Sequence, residues 1–171
     1  MSIISSRHQK ITPCLWFDSN AWDAVTFYTT IFKDSKKGKI SYYGKDMSMP
    51  QGSVLTIEFT IQGQEFLALN GGPEFKFSEA VSFTINCDTQ EEIDYYWEKL
   101  TADGGQEMDC GWLKDRFGLS WQVVPSFMGD MVADSDTQKV SRLMQEMFKM
   151  KKLDIKKLEE AYSGVPDTVN T

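Results

Sequence analysis

Two stretches decide how this chain reads: Leu15-Trp16-Phe17-Asp18 followed by Ala24-Val25-Thr26-Phe27-Tyr28, and Phe83-Thr84-Ile85-Asn86 followed by Glu92-Ile93-Asp94-Tyr95-Tyr96. The second set stands 68 positions after the first, from 15 to 83. At that one offset Leu15 meets Phe83, Phe17 meets Ile85, Val25 meets Ile93, Tyr28 meets Tyr96 and Phe32 meets Leu100. Matches in register across a strand-like and a helix-like pattern together imply a duplicated unit.

The same order of elements unfolds around each copy. Strands are expected over 11–17 and 80–86, both alternating as half-buried strands do. In the first helix Ala21, Ala24, Val25, Tyr28, Ile31 and Phe32 share a face, with Asn20 as N-cap. In the second, Thr89-Gln90-Glu91-Glu92 has the form of a capping box, and Ile93, Tyr96, Trp97 and Leu100 make the stripe before Gly104-Gly105. Strands over 38–43, 53–61 and 65–70 complete the first half, the last two turning through Gln62-Gly63-Gln64. Strands over 106–109, 112–115 and 119–124 complete the second, closed by Pro125.

The expected fold class is α+β: tandem βαβββ modules over 10–70 and 80–125, a linker over 71–79 and a helical extension over 126–164, together one compact domain. In the extension, Ser135 to Gln138 has capping-box spacing, and Val140, Leu143, Met144, Met147 and Phe148 form an apolar stripe. Asp154 would cap a last helix ended by Gly164, with Leu153 and Leu158 as its hydrophobic staple.

Composition narrows the function. Of 171 residues, 18 are Lys or Arg and 25 Asp or Glu, a net charge of −7 with no basic patch before Lys149, Lys151 and Lys152. Such a chain is poorly suited to a phosphate backbone. It has no apolar run of the ~18 residues a membrane span needs, and its first ten residues lack the apolar centre of a signal peptide. A cytoplasmic protein with neither nucleic acid nor membrane as partner is expected. The single histidine, His8, excludes sites built on several imidazoles and disfavours a Ser-His-Asp arrangement. Cys14, Cys87 and Cys110 show no CxxC spacing and read as reduced thiols.

The doubled unit carries three further motifs: Ile11-Thr12-Pro13-Cys14-Leu15-Trp16-Phe17, Phe66-Leu67-Ala68-Leu69-Asn70-Gly71-Gly72 and Gly111-Trp112-Leu113-Lys114-Asp115-Arg116-Phe117-Gly118-Leu119-Ser120-Trp121-Gln122. With them the chain resembles the PhnB-like branch of the vicinal oxygen chelate superfamily, which groups glyoxalases, bleomycin-resistance proteins and extradiol dioxygenases. Chains of this branch often carry the label 3-demethylubiquinone-9 3-methyltransferase-like. The resemblance implies sheets curled around a cup and a homodimer. It also implies four metal-ligand positions, which fall here on Thr12, Ala80, Ala68 and Gln122. Alanine has no donor atom, and threonine hydroxyl and glutamine amide oxygens bind divalent ions weakly. Neither a metal nor a cofactor is therefore expected. Nor does Asn70-Gly71-Gly72-Pro73, which runs into a polar linker, resemble the glycine-rich strand-to-helix loop of a typical S-adenosylmethionine domain.

Strand alternation assigns the faces. Thr12, Cys14 and Trp16 point away from the helices, as do Ser82, Thr84 and Asn86, and Thr56, Glu58 and Thr60. The same reading turns Leu67, Leu69, Trp121 and Val123 toward the helices, and Phe66, Ala68, Asn70, Ser120 and Gln122 into the cup. Glu58 is the candidate acid or base, since partial desolvation suits a carboxyl to proton transfer. Gln122 would orient a carbonyl. Trp16, Phe66 and Trp112 would be apolar walls, Asn70 a polar contact and Cys110 a thiol at the rim. The leading function is binding or sequestering a small apolar or aromatic molecule in a metal-free cup. The alternative is a metal-independent lyase or isomerase with Glu58 as general acid/base and Gln122 or Asn70 steadying an oxyanion. Weaker readings are a metal held elsewhere by Glu58 and other carboxylates, and methyltransferase-like activity as the family label suggests.

Overall fold

β-Branched and aromatic residues at alternate positions make half-buried strands, and an amphipathic helix is what covers them. The computed structural model, which describes residues 9–164, shows this twice. The first copy runs β1 (Cys14–Phe17), α1 (Ala21–Ile31), β2 (Ser35–Tyr42), β3 (Val54–Ile61) and β4 (Gln64–Asn70). Its sheet has the order β1-β4-β3-β2, parallel between β1 and β4 and antiparallel elsewhere. α1 packs against β2, β3 and β4. Ala21, Ala24, Val25 and Tyr28 are fully buried there, and Tyr28, Phe59 and Phe66 stack in a column with centroids 6.2 and 5.1 Å apart. Each such large apolar side chain contributes ~1.5–3 kcal/mol by leaving water.

The facing of β4 is the reverse of the sequence expectation. Phe66, Ala68 and Asn70 are buried on the side of α1, while Leu67 and Leu69 lie on the far face. The cause is one residue in the hairpin. Ile61 pairs with Gln64, so the turn is Gln62-Gly63 alone, both at positive φ (46° and 81°) as a type I′ turn requires. A three-residue turn would have shifted the register by one, and a one-residue slip exchanges the two faces of a strand. Asn20 also departs from expectation. It occupies the N-cap position, but its side chain makes no cap hydrogen bond. Asn70 supplies it from β4, its Oδ1 accepting from the Ala21 amide at 2.8 Å and its Nδ2 donating to the Val54 carbonyl at 3.0 Å.

The second copy runs β5 (Ser82–Cys87), α2 (Gln90–Thr101), a short 3-10 turn (Ala102–Gly104), β6 (Gln106–Glu107), β7 (Trp112–Lys114) and β8 (Ser120–Pro125). Its sheet order is β5-β8-β7-β6, again parallel only between the first and last strands. Here the expected facing holds: Ile85, Trp121 and Val123 are buried, and Gln122 is not. The capping box forms, Thr89 accepting from the Glu92 amide while the Glu92 carboxylate accepts from the Asp88 amide at 2.7 Å. The chain divides into two compact units between Lys76 and Phe77, within the stretch read as a linker.

Three helices follow: α3 (Met128–Val132), α4 (Thr137–Met147) and α5 (Ile155–Ser163). The sequence reading anticipated the last two. Asp136, not Ser135, caps α4, because its carboxylate reaches the Gln138 and Lys139 amides. Asp154 caps α5, and Gly164 ends it at φ 75°. Met128, Leu143, Leu153 and Leu158 form one buried cluster, whereas Phe148 from the expected stripe is 64% exposed.

Candidate functional site

On the far face of the first sheet, pairing across β2, β3 and β4 sets Lys36 opposite Thr60, Thr60 opposite Glu65, and Glu58 opposite Leu67. Together with Thr12 these side chains line a hollow of ≈ 390 Å³. That volume lies within the ~300–1,000 Å³ range of small-molecule pockets. Glu58 is half-buried, and its carboxylate has no hydrogen-bond or ion-pair partner among the described residues. Glu65 is already engaged, accepting from the Gln9 amide at 2.8 Å. The sequence reading placed Glu58 and Thr60 on this face by alternation but missed Lys36, Glu65 and Leu67 as their companions. Their signal was the strand pairing, which is not local in sequence.

The other predicted residues are placed differently. Trp16 is on the far face, but its indole is held within its own unit. Nε1 donates to the Gly72 carbonyl at 2.9 Å, Phe75 meets the ring edge-on at 4.9 Å, and a Cβ at Gly71 would fall 2.3 Å from the indole Cζ2. Asn70 faces α1 and serves the helix cap, which corrects its expected place in the cup, whereas Phe66 is buried in the core on the side of α1 and still contributes to the lining of the hollow. Gln122 and Trp112 belong to the second unit and stand opposite one another on β8 and β7. Gln122 Nε2 donates to Ser82 Oγ at 2.9 Å. Beside them Ser120 is fully buried, with no partner for its hydroxyl among the described residues.

Cys110 sits at a turn with φ 61°, and its amide donates to the Met150 carbonyl at 2.8 Å. Burial, and then the Asp109 carboxylate, push its thiol above the ordinary cysteine range, the opposite of an activated nucleophile. Burial likewise raises Cys14 and, with Glu92 and Asp88, takes Cys87 up to about 12. His8 lies outside the described residues.

Residues 9–124 match the family described as 3-demethylubiquinone-9 3-methyltransferase. The chain belongs to that family. A PhnB protein of Bacillus cereus with the same family description is 36% identical, aligning 68% of this chain with 99% of its own at a TM-score of 0.63. A Pseudomonas aeruginosa protein is 20% identical over 68% of this chain and 96% of its own, at a TM-score of 0.55. FosX, the genomically encoded fosfomycin resistance protein of Listeria monocytogenes, is 16% identical over 75% and 99%, at 0.53. The last two show a shared fold. These likenesses place this PhnB-like protein in the vicinal oxygen chelate superfamily. No curated protein sequence matches the chain.

The superfamily's metal and the family name's methyl donor can be tested against the residues. Leu15 pairs with Ala68 and Phe83 with Trp121, so the counterpart of Gln122 in the first unit is Leu69, one residue beyond the Ala68 assigned from sequence. Thr12 and Leu69 in one unit, and Ala80 and Gln122 in the other, do not fit a divalent metal. Among the described residues no group of three or more His, Cys, Asp or Glu side chains could hold one elsewhere. The amides of Gly71 and Gly72 donate to the Phe17 and Asp18 carbonyls at 2.9 and 3.0 Å. Gly71 admits the Trp16 ring, and neither glycine offers a free amide to a nucleotide cofactor.

Proposed function

We propose that this PhnB-like protein binds a small molecule in the hollow on the first sheet, with Glu58 as the polar anchor and Leu67 as the apolar floor. The observation that carries this reading is a half-buried carboxylate, without a partner among the described residues, facing a hollow of ≈ 390 Å³. A buried polar group left unpaired costs free energy that a ligand can recover.

The test is native mass spectrometry of wild type and Glu58→Gln purified in parallel. The wild type should retain a small-molecule mass that the variant loses. Equal occupancy in both, or no bound mass in either, would overturn the proposal.

An isomerase or lyase reading rests on the same carboxylate acting as general acid/base, with the Lys36 ammonium facing the hollow to stabilise a developing oxyanion. Turnover of the bound molecule, abolished in Glu58→Gln, would favour it over simple carriage. The proposal includes a cytoplasmic homodimer with no nucleic-acid or membrane partner. The acidic balance and the family resemblance support this, and no helix among the described residues is long and apolar enough to cross a membrane.

A further inference from the structure

Strand β2 breaks register between Lys37 and Ile40, and Gly38 stands at the break. A Cβ at Gly38 would lie 3.1 Å from both the Cβ and the carbonyl oxygen of Glu58. Bulges of this kind re-aim neighbouring side chains, and the glycine keeps the space beside Glu58 open. Lys36, just before the break, lines the same hollow. Neither the Lys36 ammonium nor the Glu58 carboxylate has an ion-pair or hydrogen-bond partner among the described residues. Ion pairs do form elsewhere, as Lys114 with Glu79 and Lys152 with Asp94, both at 2.5 Å.

We infer that the hollow takes a small zwitterion with an apolar side chain, in chemical class a free α-amino acid; this rests on the proposal that the hollow binds a ligand. Three charged side chains line the hollow: Glu65 is engaged by the Gln9 amide, and the half-buried Glu58 and the exposed Lys36 are satisfied together by a ligand carrying both charges. The ammonium of the ligand meets Glu58 and its carboxylate meets Lys36. The Thr60 hydroxyl, opposite Lys36, is a further donor on the carboxylate side. Leu67, opposite Glu58, supplies the surface for the side chain. A neutral apolar ligand would leave both charges unanswered, and a singly charged one would leave one of them so.

The experiment titrates the full chain with apolar L-amino acids, read by the methyl resonances of Leu67 and by calorimetry. L-leucine is compared with isoamylamine, 4-methylpentanoate and 3-methylbutan-1-ol, which lack the carboxylate, the amine and both. The zwitterion should bind at least tenfold more tightly than any analogue. Glu58→Gln should weaken leucine and the amine tenfold or more while sparing 4-methylpentanoate, and Lys36→Met should do the converse. Equal binding of a neutral or singly charged analogue at Leu67 would overturn the zwitterion and leave the binding site standing. If none of the panel perturbs Leu67, the zwitterion inference falls. The hollow itself falls only if the bound mass of the native protein is also indifferent to Glu58→Gln.

Discussion

The two units are built on one plan and meet the needs of the helix N-terminus in opposite ways. In the second, α2 is capped from its own sequence, Thr89 and Glu92 exchanging hydrogen bonds with neighbouring amides. In the first, α1 is served across the fold by Asn70, which lies 49 residues from the Ala21 amide it accepts from. The strand pairing makes Val123 the counterpart of Asn70, since Phe17 pairs with Asn70 and Ile85 with Val123. One position is thus a buried amide in one unit and a buried methyl-bearing side chain in the other. A local cap stabilises a helix wherever that helix is; a long-range cap works only once strand and helix have docked. The first unit has therefore tied its helix to its tertiary structure more tightly than the second.

The hairpins differ in the same sense. The first unit turns through two residues, Gln62 and Gly63. The second uses a longer turn organised by Asp115, a carboxylate only 2% exposed. Its oxygens accept from the Phe117 and Leu119 amides and from the Trp121 indole at 2.8, 3.1 and 2.9 Å.

Asp115→Ala should have the largest effect, about 3–5 kcal/mol in a urea titration, because three donors, two of them buried, lose their acceptor. A loss below about 1 kcal/mol would mean that the turn holds without it.

Asn70→Val, which transplants the second unit's residue into the first, should cost about 2–4 kcal/mol, against about 1 kcal/mol for Thr89→Ala. Comparable losses in both variants would erase the contrast between distant and local capping. Hydrogen exchange should sharpen it, with Asn70→Val opening α1 and Thr89→Ala opening only the first turn of α2.

Gln62→Asn should stabilise the first hairpin by roughly 0.5 kcal/mol, since asparagine tolerates positive φ better than glutamine. No gain, or a loss, would argue that the Gln62 side chain has a role of its own in the turn.

The smallest effect concerns pH. The Lys152 ammonium, then the Gln90 amide, hold Asp94 below the usual carboxylate range. Its contribution is present above the unfolded pKa of about 4 and fades as pH falls through the lower folded value. The stability gap between wild type and Asp94→Asn should accordingly be small at pH 7, for a pair this exposed, and close toward pH 3. A gap that does not narrow would show that the ion pair contributes nothing.

Much of the fold was legible because its signals are local. Alternation marked the strands, 3.6-residue stripes marked α1 and α2, and Thr89 and Asp154 announced the helices they cap. β4 was misread because Phe66, Leu67, Ala68 and Leu69 are all apolar, so that alternation chooses neither face. Only pairing with β3 across the two-residue turn orients it. That error carried Asn70 into the expected site and left Leu67 out. Glu58 was recovered because Ile57, Phe59 and Ile61 mark the buried side of β3 without ambiguity.

The order of residues alone determined the duplication and most of the element types, since period and composition can be read along a line. The tertiary structure decided the facing of β4, the service Asn70 gives to α1 and the placing of Lys36 and Glu58 on one hollow. Each of these depends on strand register, which is set when distant segments hydrogen-bond and is felt by a side chain only after they have done so.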